Sequence, residues 1–183
     1  MSSATRMRRV WHLSRRFAGA LRPGAPRPAD TEWVATVLTS GELTLWSLMP
    51  RHDRRHSIAV ARRVEHTLAG TPYAGDPRWL AAALLHDVGK LDAGLGVFGR
   101  VGATLAGAAA GHELADVWSG KRGITRRVGL YLRHAELGAT RIRVAGGREE
   151  AARWAAAHHE ADARHASGFP LEVAAALCAA DDD

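Results

Sequence analysis

Residues 79–90 read WLAAALLHDVGK, an apolar stretch of seven residues that is followed by histidine beside aspartate. Asp76 and Pro77 precede it and are typical of a helix start, because a carboxylate caps free backbone N–H groups and proline fits the first turn. The apolar turns that follow predict a helix through the core. Burying His86 and Asp87 at its inner end costs several kcal/mol unless a metal ion or hydrogen bonds compensate them. The stretch therefore favours a metal site, and the alternative is a capped helix end with one hydrogen-bonded histidine.

The rest of the chain predicts further helices and no sheet. It is rich in alanine, leucine and arginine, and no segment alternates between apolar and polar residues as a half-buried strand would. We expect helices to start at Asp30 or Thr31, at the capping box of Thr39 and Glu42, and near Asp53. At 183 residues the chain can bury the core of one domain. We predict an all-α fold, a single bundle-like domain of about six to nine helices.

The formal net charge of +6 is concentrated in an N-terminal arm, residues 1–28. The arm holds seven arginines and no acidic residue, so removing its charge leaves about −1 for the domain at 29–183. Its apolar residues would share one face of a helix, and they are Val10, Leu13, Phe17 and Leu21. This pattern of basic and apolar residues predicts a helix. The helix would either dock on the domain or bind an anionic membrane surface or a protein partner. Because the domain is nearly neutral, we expect no specific nucleic-acid binding.

The sequence also predicts a compartment. Cys178 is the single cysteine, which excludes a disulfide framework and a cysteine zinc site. No continuous apolar run reaches the length of about 18 residues that a membrane span requires, and the basic arm lacks the features of a secretory signal. We therefore predict a cytoplasmic protein that the arm could hold at a membrane surface.

His86 and Asp87 belong to a wider pattern, in which a lone histidine, a His-Asp pair and a distant aspartate are all predicted on helices. The lone histidine is His56, and the distant aspartate is Asp181. In this pattern the chain resembles the HD superfamily of metal-dependent phosphohydrolases. The continuation DVGK at residues 87–90 is similar to the HD-GYP phosphodiesterase branch of that superfamily.

Three later motifs carry this narrower resemblance, which covers about residues 50–183. The sequence HAELG at 134–138 resembles the His-Pro-x-x-Gly element of the branch, with alanine in place of proline. The sequence HHE at 158–160 matches its His-His-Glu element. Residues 168–170, Gly-Phe-Pro, resemble its Gly-Tyr-Pro element. Each motif alone is weak, but five of them in the order of the family form a specific signal.

The resemblance implies two divalent transition metals per chain. The first would be held by His56, His86, Asp87 and Asp181. Asp87 would also bridge to the second, whose other ligands would be His134, His158 and His159. Imidazoles and carboxylates without a thiolate suit Mn²⁺ or Fe²⁺, which we favour, and also Co²⁺, Ni²⁺ or Zn²⁺. Some members hold a third metal with a glutamate four residues before the first histidine, where this chain has His52.

The implied reaction is hydrolysis of a phosphodiester or nucleotide-type phosphate ester by a hydroxide that bridges the two metals. The catalytic residues would be Asp87, which joins the metals, and Lys90, whose charge would face the phosphoryl oxygens. Two alternatives come from other classes of protein. One is a non-catalytic HD module that binds a nucleotide or second messenger in signalling. The other is a membrane- or partner-docking protein that acts through the arm.

Two segments depart from the branch. Residues 92–120 are rich in glycine and lengthen the gap between the His-Asp pair and the next motif, which predicts an extra helix or a lid. The loop from His159 to Phe169 is two residues longer than is usual in the branch and lacks its Asp-Gly, so cyclic dinucleotide specificity is not implied. Asp181 is predicted near the end of the last helix, where a ligand is less well held.

Overall fold

The protein is described by a computed structural model that covers residues 24–96, 99–104, 113–160 and 162–182. This part of the chain is all-α and contains no strand, which confirms the predicted fold class. Residues 1–23 of the predicted basic arm lie outside the described residues. The described residues include eleven helices, in this order: α1 Pro28–Val37, α2 Ser40–Ser47, α3 Arg51–Thr67, α4 Pro77–Leu85, α5 Lys90–Ala93, α6 Glu113–Ser119, α7 Gly123–Leu132, α8 His134–Val144, α9 Glu149–Ala157, α10 Ala163–Ala166 and α11 Leu171–Asp182.

The apolar helix α4 is the centre of the bundle. Asp76 caps it by accepting a hydrogen bond from the backbone N–H of Arg78 at 2.9 Å, and Pro77 occupies the first turn, as predicted. Every residue of α4 from Trp79 to Leu85 is buried. The helix packs against α1, α2, α3, α9 and α11. Because a fully buried leucine contributes about 1.5–3 kcal/mol relative to an exposed one, this helix anchors the fold and fixes the residues at its C-terminal end.

The predicted helix starts agree with the structure at two of three places. Thr39 caps α2 in a complete capping box with Glu42, and α3 begins at Arg51, two residues before Asp53. The predicted start of α1 is wrong, because this helix begins at Pro28 and not at Asp30 or Thr31. Proline fits the first helical position, and the Asp30 carboxylate pairs with the Arg27 guanidinium at 2.9 Å instead of capping the helix.

The described residues contain more helices than the six to nine expected, because α5 and α10 have only four residues each. A helix of a single turn is too short to show the helical period of apolar residues, so the sequence pattern does not predict it. Helical structure is present in the segment 92–120, as predicted, in α6 and at residues 99–104. A small apolar cluster joins this segment to α7 and contains Ala93, Leu95 and Ala103, with Val128, Leu130 and Tyr131 packed against it.

Candidate metal centre

The fold brings all seven predicted ligand residues together at one end of α4. They come from the ends of four helices, α4, α8, α9 and α11, and from the middle of α3, in segments up to 125 positions apart. They form two groups, in each of which the ligand atoms all lie within 4.8 Å of one another. Group A contains His56, His86 and Asp181. Group B contains Asp87, His134, His158 and His159.

Group A is centred on the carboxylate of Asp181 in the last turn of α11. The Nε2 atom of His56 lies 3.3 Å from Asp181 Oδ1, and the Nε2 atom of His86 lies 3.4 Å from the same oxygen. His86 Nε2 is also 3.4 Å from Asp87 Oδ2. Asp87 belongs to group B by the distances between ligand atoms, but its Oδ2 atom also lies beside group A.

Group B surrounds the other oxygen of Asp87. The Nε2 atoms of His134 and His158 each lie 3.6 Å from Asp87 Oδ1. His159 completes the group, with its Nε2 atom 2.9 Å from that of His134. The two oxygens of Asp87 thus face different groups, which is the arrangement that a carboxylate bridging two metal ions requires.

The backbone fixes the orientation of three of these imidazoles in the same way. The Nδ1 atoms of His86, His134 and His158 lie 2.8, 2.6 and 2.9 Å from backbone carbonyl oxygens three residues earlier. A carbonyl oxygen can only accept a hydrogen bond, so each Nδ1 carries the proton. In the neutral ring the lone pair then belongs to Nε2, the atom that points into the cluster. Metal-binding histidines in proteins are oriented by hydrogen bonds of this kind.

The spacing of these atoms fits a metal ion. The Nε2 atoms of His86 and His158 are buried and have no hydrogen-bond partner among the described residues. Metal–ligand bonds of about 2.1 Å at angles between 90° and 109° place neighbouring ligand atoms about 3.0–3.5 Å apart. The observed distances of 2.9–3.6 Å between the ligand atoms fall in or close to this range.

The electrostatics differ between the two groups. Burial alone would lower the pKa of His86, but the carboxylates of Asp87 and Asp181 outweigh it and raise this pKa to about 10. Burial holds the pKa of His134 well below its usual value, and the ammonium of Lys90 adds to this effect. His134 is therefore neutral, whereas His86 is protonated at neutral pH and would have to release a proton to act as a metal ligand.

Lys90 lies inside this cluster. Its ammonium forms an ion pair with Asp87 Oδ2, and only 10% of its side chain is exposed. Burial would raise the pKa of Asp87, but Lys90 and His86 together hold it well below its usual value. The carboxylate is therefore ionised over the whole physiological pH range.

Two glycines let group B assemble. A side chain at Gly89 would place its Cβ 1.8 Å from the backbone oxygen of His134 and 2.6 Å from the backbone nitrogen of Gly138. Gly138 lies one turn after His134 on α8, and a Cβ there would be 3.1 Å from Gly89 N. The glycines of the DVGK and HAELG motifs therefore allow the first turn of α8 to approach the turn that carries Asp87.

Other predicted residues have different surroundings. His52 is in neither group, and its Nε2 atom lies 3.3 Å from Asp53 Oδ1. Asp53 is held in turn by two hydrogen bonds from Arg100, at 2.6 and 2.8 Å, so the carboxylate beside His52 already has a partner. Phe169 is buried against Trp79, with ring centroids 5.0 Å apart. The Gly-Phe-Pro motif thus anchors the loop before α11 in the core.

Comparison of the chain with protein-family models, with curated proteins and with solved structures gave no match. The resemblance to the HD superfamily therefore depends on the motifs and stays a prediction. Within the part of the chain that the structure describes, no helix is both long and apolar enough to cross a membrane.

Proposed function

We propose that this chain is a metal-dependent phosphohydrolase that cleaves a phosphodiester or nucleotide-type phosphate ester. One observation carries the proposal: the buried Asp87 carboxylate lies between two sets of nitrogen and oxygen ligands, one set at each of its oxygens. Purely structural ion pairs would not require five histidines around two aspartates, with the buried Nε2 atoms of His86 and His158 held 3.4–3.6 Å from carboxylate oxygens.

Group A, together with Asp87, would hold one divalent ion, and group B would hold a second. Imidazole and carboxylate ligands without a thiolate suit Mn²⁺ or Fe²⁺ and also Co²⁺, Ni²⁺ or Zn²⁺. Bound at neighbouring positions, two such ions activate water and stabilise the attacking and leaving oxygens of a phosphate ester.

The protein's own residues would give the phosphate a defined approach. His86 is fully buried, whereas 25% of the His56 side chain and 12% of the Asp181 side chain are exposed, and His159 is exposed as well. A phosphate group would therefore reach the centre from the side of His56, Asp181 and His159. Lys90 would place its positive charge beside Asp87 and so compensate the negative charge of this buried carboxylate.

The proposal is tested by measuring metal content and hydrolysis of a generic aryl phosphodiester on the same purified samples. We expect bound divalent metal and turnover in the parent protein. His56→Ala should lose most of this activity because group A loses one of its three residues. His66→Ala is the matched control, since His66 is an exposed histidine of the same helix α3 and belongs to neither group.

The outcomes separate the alternatives. Bound metal without turnover of any phosphate ester would favour a non-catalytic binding module. No bound metal after loading with Mn²⁺, Fe²⁺ or Zn²⁺ would contradict the proposed function and leave a docking role as the remaining hypothesis.

A further inference from the structure

Asp181 occupies a difficult position for a metal ligand, because it lies in the last turn of α11. The last four carbonyl groups of a helix have no partner within the helix, and helix ends therefore fray. A carboxylate on a fraying turn would become ordered only when a metal binds. The conformational entropy lost in that step would lower the affinity for the metal. Group A thus needs something else to hold this turn.

Arg63 holds it. The guanidinium of Arg63 donates two hydrogen bonds to the backbone carbonyl oxygen of Ala180, from Nε at 3.0 Å and from Nη2 at 2.6 Å. Ala180 is buried and directly precedes Asp181. A positive charge near a helix C-terminus also interacts favourably with the helix dipole. Arg63 therefore acts as a C-terminal cap that is supplied by a different helix.

The position of Arg63 on α3 connects this cap to group A. His56 and Arg63 are seven residues apart, which places them two turns apart on the same face of the helix. His56 Nε2 lies 3.3 Å from Asp181 Oδ1, while Arg63 donates a hydrogen bond to the backbone carbonyl of Ala180, the residue before Asp181. One face of α3 thus contacts both the carboxylate and the backbone of the turn that carries it.

We infer that Arg63 is a positioning residue for the metal site of group A, fixing Asp181 before the metal arrives. The inference rests on the proposed function for the metal itself, but the contact of Arg63 with α11 does not depend on it. Arg63 acts in this role by holding the turn that carries Asp181 and not by contacting substrate or metal.

The first test is a titration of metal-free protein with Mn²⁺. In Arg63→Ala we expect the affinity of group A to fall about tenfold or more, which is the usual loss for residues that orient a metal ligand. The affinity of group B should be unchanged. Arg62→Ala is the matched control, because the neighbouring Arg62 is exposed, pairs with Glu65 and lies over the ring of Trp33.

A double-mutant cycle distinguishes positioning from a general structural role. If Arg63 acts through Asp181, Arg63→Ala should have little further effect on Mn²⁺ affinity in the Asp181→Asn background. Additive losses in the double variant would overturn the inference, and so would an unchanged affinity in Arg63→Ala. Should Arg63→Ala fail to fold, the same cycle is run with Arg63→Lys, which keeps the charge but cannot donate the paired bonds.

A second measurement separates this inference from the proposed function. Amide hydrogen exchange in the last turn of α11 should be faster in metal-free Arg63→Ala than in the metal-free parent. If the exchange is faster but neither protein binds metal, the proposed function fails while the cap remains. If the parent binds metal and the exchange in this turn is the same in both proteins, the inference fails alone.

Discussion

Group A and group B are built from the same kinds of side chain, but they are held in different ways. In both groups backbone carbonyl oxygens orient imidazoles, those of His134 and His158 in group B and that of His86 in group A. In group B the backbone also sets the distance between the elements, because Gly89 and Gly138 bring two turns into contact. In group A, side chains from α3 reach across to the last turn of α11. Group B should therefore be sensitive to a side chain added at the two glycines, and group A to the loss of polar contacts between side chains.

Asp87 belongs to group B and also borders group A through its Oδ2 atom, so its loss should have the largest effect. We expect Asp87→Ala to abolish binding of both metals and all phosphodiester hydrolysis. In the metal-free protein the change leaves Lys90 and His86 without their carboxylate, a situation that costs about 3–5 kcal/mol for a buried pair. Denaturant unfolding and elemental analysis measure the two effects. Asp92→Ala is the control, because Asp92 pairs with Arg141 outside both groups; equal losses in the two variants would contradict the assignment.

The next largest effect should follow removal of one histidine from group B. In His158→Ala or His134→Ala we expect one metal to be lost and the other kept, while the phosphodiester rate falls by orders of magnitude. The fold should survive, since group A still joins α3, α4 and α11. His165→Ala is a suitable control, because His165 is exposed and contacts Asp162. Parental rates in both group B variants would indicate a centre with a single metal.

Gly89→Ala tests the role of the backbone in group B. The new Cβ would meet backbone atoms of α8, which cannot move away as a flexible side chain would. We expect weaker metal binding at group B, nearly normal binding at group A, and destabilisation of about 1–3 kcal/mol. Metal titration and thermal unfolding check this result. Gly96→Ala is the control, since a Cβ at Gly96 would meet nothing within 4 Å.

The metal-free protein should also show a pH dependence of its stability that comes from group A. The pKa of His86 is raised from about 6.5 in the unfolded chain to about 10 by Asp87 and Asp181, against the effect of burial. This contribution to stability is therefore complete below pH 6.5 and is lost as the pH rises through 10. The free energy of unfolding should fall across this window in the parent and fall less in His86→Gln. Identical slopes in the two proteins would contradict the assigned pairing.

Much of the centre could be predicted because its residues occur in short motifs with strong local signals. The apolar run before His86 and Asp87 identifies a buried helix, and the order of the later histidines predicts the partners. The structure places all seven residues together, as the motifs led us to expect. Whether they bind metal stays a prediction.

Other features could not be predicted from local patterns. The Arg63 contact joins positions 117 residues apart, and an arginine in a helix is most simply interpreted as solvent-exposed. The contact between Gly89 and Gly138 likewise depends on the packing of two helices. The predicted cap at Asp30 is wrong because a nearby arginine competes for its carboxylate.

The most direct test of the central claim is the number of divalent ions bound per chain, determined by elemental analysis after loading with Mn²⁺ and removal of free metal. Two groups with Asp87 between them predict about two ions per chain in the parent and none in Asp87→Ala. A parent protein that binds no metal, or that binds equally well in Asp87→Ala, would contradict the account.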